Sequence, residues 1–167
     1  MAVNNKVAAY LVAAGFSTAV AIGGGYLVAP SEGLVKETYL DPVNILTSCY
    51  GHTGKELKLG QKFTDEQCLE QLGKDLSIAE AGVDRTIKVP LNDYQKAALV
   101  SAFYNIGETN LKASTMVRKF NAGDYRAGCQ ELTRWVYAKG KKLKGLVIRR
   151  DKEMKMCLGE IAIETSR

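Results

Sequence analysis

The chain has 167 residues, of which 46% are hydrophobic, so it is long enough for one domain with a packed core. Its formal net charge of +5 favours an acidic partner, such as an anionic cell wall or membrane surface. No helix-turn-helix, zinc-finger or RNA-binding signature accompanies the charge, which argues against a nucleic-acid-binding protein.

A hydrophobic segment opens the chain. No charged residue occurs from Val7 to Ser31, a length that suffices to span a bilayer. Alanine and glycine dominate it, so its insertion into a membrane is expected to be weak. A cleaved signal peptide is disfavoured by Pro30 directly after Ala29, and a permanent anchor by the shortage of Leu, Ile and Phe. The preferred interpretation is a weak anchor that can leave the membrane.

The next stretch predicts a β-hairpin. Two β-leaning pieces, Thr38–Leu40 and Asn44–Tyr50, flank a turn that begins at Asp41-Pro42. Asp41 therefore lies at the hairpin tip and Thr47 on the returning strand. Glu32 precedes the hairpin and is followed by a predicted short helix over residues 33–36.

This hairpin holds residue types that suit cleavage of a glycosidic bond. Such cleavage needs one protonated and one ionised carboxyl group, which Glu32 and Asp41 supply if their environments differ. A hydroxyl group near the second carboxylate, that of Thr47, helps to hold an attacking water. The spacing alone is also compatible with an exposed acid, a turn aspartate and a strand threonine without a catalytic role.

Helices are predicted over the middle of the chain. Thr64-Asp65-Glu66-Gln67 is a capping-box pattern, which predicts a helix to about Ala81. Asn92 or Asp93 caps the next helix. Its body, Ala97–Tyr104, is apolar nearly all round and indicates a central buried helix.

The C-terminal part is also predicted to be helical. Ser114 is expected to begin a helix through Phe120, and Asp124 another that carries Trp135 as a core residue. Gly140 and Gly145 bracket a predicted loop of lysines. A final helix holds a group of charged residues and a cysteine: Arg149, Arg150, Glu153 and Cys157. Residues 161–167 are expected to be frayed.

The pattern Glu32-x8-Asp41-x5-Thr47, followed by Gly51-His52-Thr53-Gly54, resembles the catalytic signature of the phage-type lysozymes, glycoside hydrolase family 24. The hydrophobic segment is similar to that of the signal-anchor-release endolysins of lambdoid phages. The resemblance covers nearly all of residues 31–160. It continues through Leu91-Asn92-Asp93-Tyr94-Gln95, Phe103-Tyr104-Asn105-Ile106-Gly107, Ala113-Ser114-Thr115, Arg134-Trp135 and Gly145-Leu146-Val147-Ile148-Arg149-Arg150-Asp151-Lys152-Glu153. It implies an α+β, lysozyme-like fold of two lobes, a small antiparallel β-sheet lobe and a mostly helical lobe, with a cleft between.

The activity that the resemblance implies is hydrolysis of the β-1,4 bond between N-acetylmuramic acid and N-acetylglucosamine in peptidoglycan. Glu32 is then the general acid, while Asp41 and Thr47 position the water. This gives inversion and requires carboxyl groups roughly 6.5–9.5 Å apart. Asn105 and Ser114 are the implied substrate-binding residues, although Asn105 also suits a helix-end residue that satisfies local backbone. No metal or cofactor is implied.

The resemblance also implies how the chain is organised and controlled. Residues 1–30 form a signal-anchor-release segment and residues 31–167 the catalytic domain. The host secretion machinery exports the chain, and residues 7–30 tether it to the periplasmic face of the inner membrane until release as a monomer. The released segment is expected to become an amphipathic helix docked on the enzyme. Only Ser31 separates Pro30 from Glu32, so release would let Glu32 meet its partners.

Four cysteines, at positions 49, 68, 129 and 157, form no Cys-x-x-Cys pair, and the chain has one histidine, so four-ligand zinc spacing is absent. An even number in an exported protein indicates two disulfides, with three possible pairings. Cys49–Cys68 and Cys129–Cys157 are favoured, the first tying the hairpin to the next helix and the second joining two C-terminal helices. Four buried free thiols are the alternative.

The histidine has two competing interpretations. In the family that the chain resembles, the histidine of the Gly-His-Thr motif pairs with an acid, which implies a structural ion pair of His52 with Asp75. Alternatively, His52 is a catalytic base, because histidine titrates near neutral pH.

Two other functions stay open. A lytic transglycosylase would use Glu32 alone and yield an anhydro sugar. A membrane-tethered wall-binding module would use the same carboxylates for binding without turnover.

Overall fold

The computed structural model describes residues 5–161. The chain forms two units, of which the first ends at Ile78 and the second begins at Ala79. The first contains the hydrophobic segment and a three-stranded sheet, and the second is mostly helical. This composition confirms the α+β class.

The hydrophobic segment folds into short helical pieces. These are α1 (Asn5–Ala13), α2 (Thr18–Ile22), a π-helical stretch (Gly23–Val28) and α3 (Ala29–Glu32). The expected single amphipathic helix is therefore wrong. Gly15 has a φ of +87°, which suits glycine and ends the first piece, and the Ser17 side chain accepts the N–H of Val20 to begin the next.

The apolar face of this segment is buried in the first unit. Leu11 and Val28 are fully buried. A β-carbon on Gly24 would lie 2.7 Å from Leu11 Cδ1 and 2.9 Å from Leu76 Cδ1, and one on Gly73 would lie 2.3 Å from the Phe16 ring. Leu76 and Gly73 belong to the long helix described below. The glycines thus permit the close approach by which the segment docks on that helix.

The sheet contains the predicted hairpin. Its strands β1 (Val35–Leu40), β2 (Leu46–Cys49) and β3 (His52–Thr53) are antiparallel in the order β1-β2-β3. The short helix predicted over residues 33–36 is wrong, because α3 ends at Glu32 with Gly33 at a φ of +74° and the strand starts two residues later.

Helix α4 (Asp65–Thr86) follows the sheet. Its predicted capping box is present, since the Thr64 N–H donates to Gln67 Oε1 at 2.8 Å and the Gln67 N–H donates to Thr64 Oγ1 at 3.1 Å. The helix runs five residues beyond the predicted end at Ala81. The Cys49–Cys68 disulfide ties the end of β2 to the first turn of α4, and this is one of the two pairings favoured from the sequence.

The second unit is built around α5 (Asp93–Ile106), whose residues 97–103 are all buried, as its apolar sequence predicts. It packs on α9 (Lys144–Cys157). Between them in the chain lie α6 (Glu108–Leu111), α7 (Thr115–Asn121), α8 (Tyr125–Glu131) and a 3-10 turn (Leu132–Arg134). The second disulfide, Cys129–Cys157, joins α8 to α9 and is the other favoured pairing.

The lysine-rich stretch predicted as a loop is a small hairpin. Strands β4 (Tyr137–Ala138) and β5 (Lys141–Lys142) pair across Lys139 and Gly140, whose φ values are +49° and +74°. Two consecutive residues with positive φ make the tight turn that suits a two-residue hairpin loop. Gly145 lies in the first turn of α9 and does not bracket a loop.

Within residues 5–161, no helix combines the length and the apolar character needed to cross a bilayer. Fraying is expected of residues 161–167, of which residues 162–167 lie outside the described range. Residues 1–4 of the predicted anchor segment also lie outside it.

Candidate active site

Glu32 stands at the point where the hydrophobic segment ends. It is the last residue of α3 and is exposed. Its carboxyl group lies against Gly51, in the turn between β2 and β3. A β-carbon at Gly51 would be 3.0 Å from Glu32 Oε2, and the φ of +79° there also favours glycine. The absence of a side chain at Gly51 therefore leaves room for the Glu32 carboxyl group beside the sheet.

Asp41 organises the hairpin turn. Its Oδ1 accepts the backbone N–H groups of Val43 and Ile45, each at 2.9 Å. Its own backbone closes the turn, because its carbonyl accepts the N–H of Asn44 and its N–H donates to Ile45 O. Asn44 adopts the left-handed conformation with a φ of +63°. The carboxylate of Asp41 is thereby fixed in orientation.

Thr47 lies on the returning strand, as predicted, and is 5% exposed. It pairs with Tyr39 of β1 and Thr53 of β3, and paired residues on antiparallel strands share one face of the sheet. Its hydroxyl donates to Ile45 O at 3.1 Å. Because the hydroxyl proton is used in this bond, the oxygen offers lone pairs to a further donor such as water.

The first unit thus contains an acid at the end of the docked segment, and a carboxylate and a hydroxyl on the hairpin. A carboxylate only accepts hydrogen bonds when ionised, and the Thr47 oxygen is oriented as an acceptor. Two acceptors of this kind can hold a water by its protons. A separate carboxyl group can deliver a proton elsewhere, and this division of roles is the one that glycosidic hydrolysis requires.

His52 contacts two carboxyl groups. Its Nδ1 lies 2.7 Å from Asp75 Oδ2, the predicted contact, and its Nε2 lies 2.7 Å from Glu56 Oε1. Burial by itself lowers the pKa of His52, but the hydrogen bonds to Glu56 and Asp75 together outweigh it and raise the pKa. Burial also raises the pKa of Asp75.

Glu56 is the residue of this cluster that the sequence analysis missed. It is exposed, and the bond to His52 lowers the pKa of its carboxyl group. A β-carbon at Gly54 would lie 2.1 Å from Glu56 Oε2, so the contact depends on glycine at that position. The sequence does contain an indication of this contact, because Glu56 follows His52 by four residues and Gly54 lies between them. Both ring nitrogens of His52 therefore face a carboxyl oxygen.

Asn105 belongs to the second unit. It is exposed near the end of α5, and its Oδ1 accepts a hydrogen bond from Arg150 Nη2 at 3.0 Å. Arg150 is fully buried and contacts Glu153 through Nε at 2.8 Å. Burial raises the pKa of Glu153, while Arg150 and Arg149 oppose that effect. The sequence predicted Asn105 as a site residue but gave no indication of its link to Arg150.

Ser114 also lies in the second unit. Its hydroxyl accepts the N–H of Val117 at 3.2 Å and caps α7, as predicted. It lines a surface cavity of about 390 Å³ together with Glu131, Arg134 and Trp135. Trp135 is half-buried and contributes to this cavity as well as to the fold, whereas the sequence assigned it to the core. Throughout the described range, no three His, Cys, Asp or Glu side chains are grouped as ligands of one metal ion.

Comparison with known proteins identifies the family to which the chain belongs. The sequence model described as phage lysozyme matches residues 29–153. A SAR-endolysin of Enterobacteria phage P21 is 39% identical over 154 residues, which cover 85% of this chain and 93% of the relative. A SAR-endolysin of Escherichia phage Mu is 40% identical over 123 residues, covering 74% of this chain and 71% of that protein.

Solved structures show the same fold. The active form of P1 phage endolysin Lyz has a TM-score of 0.80 over 95% of this chain and 97% of its own, at 24% identity. An endolysin from the Escherichia coli O157:H7 phage FAHEc1 has a TM-score of 0.76 at 34% identity, over 85% of this chain and 94% of its own. The chain therefore belongs to the phage lysozyme family and is a glycoside hydrolase of the muramidase type.

Proposed function

We propose that the chain is a phage endolysin that hydrolyses the β-1,4 bond between N-acetylmuramic acid and N-acetylglucosamine in peptidoglycan. Glu32 protonates the leaving oxygen. Asp41 deprotonates and orients a water that Thr47 helps to hold, and attack from the opposite side of the sugar ring inverts the anomeric carbon. Peptidoglycan is the only partner that this step requires.

The observation that supports the proposal is the hydrogen bonding of Asp41 and Thr47 in the hairpin. Asp41 is held by two backbone N–H groups, and the hydroxyl of Thr47 is turned so that its lone pairs are available. Both features support a site that receives a water. A lytic transglycosylase needs neither group, since its product forms without water, and the hairpin therefore favours hydrolysis.

Residues 1–30 act in this proposal as a signal-anchor-release segment attached to a catalytic domain of residues 31–167. The host secretion machinery exports the chain, the segment tethers it to the periplasmic face of the inner membrane, and release yields the active periplasmic monomer. Glu32 directly ends α3, the last piece of the segment. Docking of the segment on α4 therefore sets the position of Glu32, and a segment held in a bilayer would leave Glu32 elsewhere.

Replacement of Glu32 tests the catalytic part. We expect Glu32→Gln to lower the rate of murein hydrolysis by about 10²- to 10⁴-fold, the usual contribution of a general acid, without unfolding the protein. Glu66→Gln, an exposed acid in the first turn of α4, is the matched control and should hydrolyse murein like the unchanged protein. Clearing of a murein suspension by Glu32→Gln at the control rate would disprove the assignment.

A further inference from the structure

A surface cavity of about 190 Å³ lies beside the first turns of α4, within the first unit. It is lined by one aromatic ring and four polar side chains of the helix: Phe63, Gln67, Glu70, Gln71 and Lys74. Phe63 is half-buried and is held next to β1, because its N–H donates to Lys36 O at 2.8 Å. An aromatic ring bordered by a few fixed polar groups is a usual composition of a site for a small ligand.

The cavity and the proposed water site lie on opposite faces of the sheet. Ser48 follows Thr47 in β2, and successive side chains of a strand point to opposite faces. The Ser48 hydroxyl donates to Gln71 Oε1 at 3.3 Å, so the face that carries Ser48 is the one beside the cavity. A ligand in the cavity therefore leaves the place of the water near Asp41 and Thr47 open.

The side-chain amide of Gln67 has its orientation fixed by the capping box of α4. The Thr64 N–H donates to Gln67 Oε1 at 2.8 Å, and a backbone N–H only donates, so the amide atom at this contact must be the oxygen. The N–H₂ group is then the end that remains for the cavity. The oxygen of Gln71 is engaged by Ser48 in the same sense, which leaves a second N–H₂ group.

The charges of the lining cancel. Lys74 Nζ lies 2.7 Å from Glu70 Oε1, and these are the two charged side chains of the cavity. A lining without net charge favours a neutral ligand over a phosphate or a carboxylate. A sugar ring is neutral, its oxygens accept from N–H₂ groups, and the C–H bonds of one face can pack on an aromatic ring. The volume is below the roughly 300–1,000 Å³ of sites for drug-sized ligands, which limits the ligand to about one ring.

We propose that this cavity is a second glycan-binding site, which takes one N-acetylhexosamine ring of a murein strand. Phe63 packs on the ring, and the N–H₂ groups of Gln67 and Gln71 donate to its carbonyl and hydroxyl oxygens. The choice of this sugar rests on the peptidoglycan hydrolysis proposed above. A second site for the same polymer prolongs the time that the enzyme stays on it between cleavages.

Gln67→Glu removes one donor and leaves the start of the helix intact. Glutamate is an ordinary capping-box residue at this position, so its carboxylate still accepts the Thr64 N–H. The added negative charge lies at the N-terminus of α4, where it is favourable, and thermal unfolding should occur close to the temperature of the unchanged protein. Gln95→Glu is the matched control. Gln95 has the same place in the capping box of α5, where its Oε1 accepts the Asn92 N–H at 3.0 Å, and it does not line the cavity.

The probe is the methyl β-glycoside of N-acetylglucosamine, a single ring with no bond between sugars to cleave. It is titrated into the full-length chain while nuclear magnetic resonance follows the side-chain amide of Gln71 and the backbone amide of Lys74. Both signals should shift and yield a Kd. We expect this Kd to rise about two- to tenfold in Gln67→Glu, the range of one neutral hydrogen bond, and to stay unchanged in Gln95→Glu. Phe63→Leu should raise it similarly, because leucine keeps an apolar side chain but lacks the aromatic face.

Unshifted signals of Gln71 and Lys74, or shifts confined to the hairpin, would overturn the second site. A Kd in Gln67→Glu equal to that of the unchanged protein would overturn the donor role, and an equal Kd in Phe63→Leu the packing role of the ring. The titration needs no turnover. A chain that binds the probe here but leaves murein uncut would therefore contradict the proposed hydrolysis and not this site.

Discussion

At the scale of single residues, His52 shows how a contact fixes a protonation state. Each ring nitrogen faces a carboxyl oxygen at 2.7 Å, and carboxylates only accept hydrogen bonds. Where both carboxyl groups are ionised, both nitrogens must carry protons to donate, and the raised pKa of His52 extends this protonated form to higher pH. Below that pKa the ring is a cation that joins β3 to the loop at Glu56 and to α4 at Asp75.

This cation predicts a pH-dependent stability. The folded-state pKa of His52 is raised above its unfolded value, which is about 6.5. Its contribution to the free energy of unfolding is thus complete below about pH 6.5 and is lost as pH rises through the folded-state pKa. In urea unfolding across that window, the stability difference between the unchanged protein and His52→Gln should shrink as pH rises.

Glu56→Gln is the control for this experiment. It removes the negative charge of one of the two carboxyl groups that raise the pKa of His52, so the decline should be complete at a lower pH than in the unchanged protein. A stability difference that is constant with pH would show that His52 is neutral in the folded protein.

Isosteric replacements can distinguish the proposed catalytic roles of Asp41 and Thr47. Asp41→Asn keeps an oxygen for the N–H groups of Val43 and Ile45, so the turn should persist while the base is lost. We expect the hydrolysis rate to fall by about 10²- to 10⁴-fold. Thr47→Val keeps the buried volume and removes only the hydroxyl, and its loss of rate should be smaller. The reverse order would assign the water to Thr47 instead of Asp41.

At the scale of elements, the docked hydrophobic segment depends on close helix contacts. A β-carbon on Gly25 would lie 2.8 Å from Ala8 Cβ and 3.0 Å from the Ala8 backbone nitrogen. Backbone atoms of α1 cannot give way as a flexible side chain would. Gly25 therefore determines how closely α1 packs on the π-helical stretch that leads to Glu32.

Gly25→Ala should destabilise the purified protein by about 1–3 kcal/mol, as overpacking does, and lower its hydrolysis rate. Ala9→Leu adds more apolar carbon at an exposed position of the same segment and serves as the control. If docking governs activity, Gly25→Ala has the larger effect in purified enzyme. A larger effect of Ala9→Leu would point to hydrophobicity of the segment rather than packing.

Elements were predictable where local signals determine them. The Asp41-Pro42 turn, the capping boxes at Thr64 and Asn92 and the apolar run of α5 all form as their residues indicate. The small hairpin at Lys139 was not predicted, because lysine is an unusual residue at positive φ and only Gly140 signals the turn. The hydrophobic segment breaks into separate helical pieces at Gly15 and Ser17. The sequence did not predict this break, because the surrounding residues are of similar composition.

At the scale of the whole molecule, the candidate residues divide between the two units. Glu32, Asp41 and Thr47 belong to the first unit, and Asn105 and Ser114 to the second. Sequence motifs predict both groups, because each motif is short and continuous. The contacts that hold them were not predictable, since Gly51 under Glu32 and Arg150 behind Asn105 join positions far apart in the chain.

The anomeric form of the first product tests the catalytic account most directly. Nuclear magnetic resonance of fresh murein digests should show the α anomer at the new reducing end of N-acetylmuramic acid, before it equilibrates, because a water activated by Asp41 inverts the β bond. Initial release of the β anomer would mean a retaining mechanism. A 1,6-anhydro product, lighter by one water, would mean a transglycosylase, and either result would contradict the roles assigned to Asp41 and Thr47.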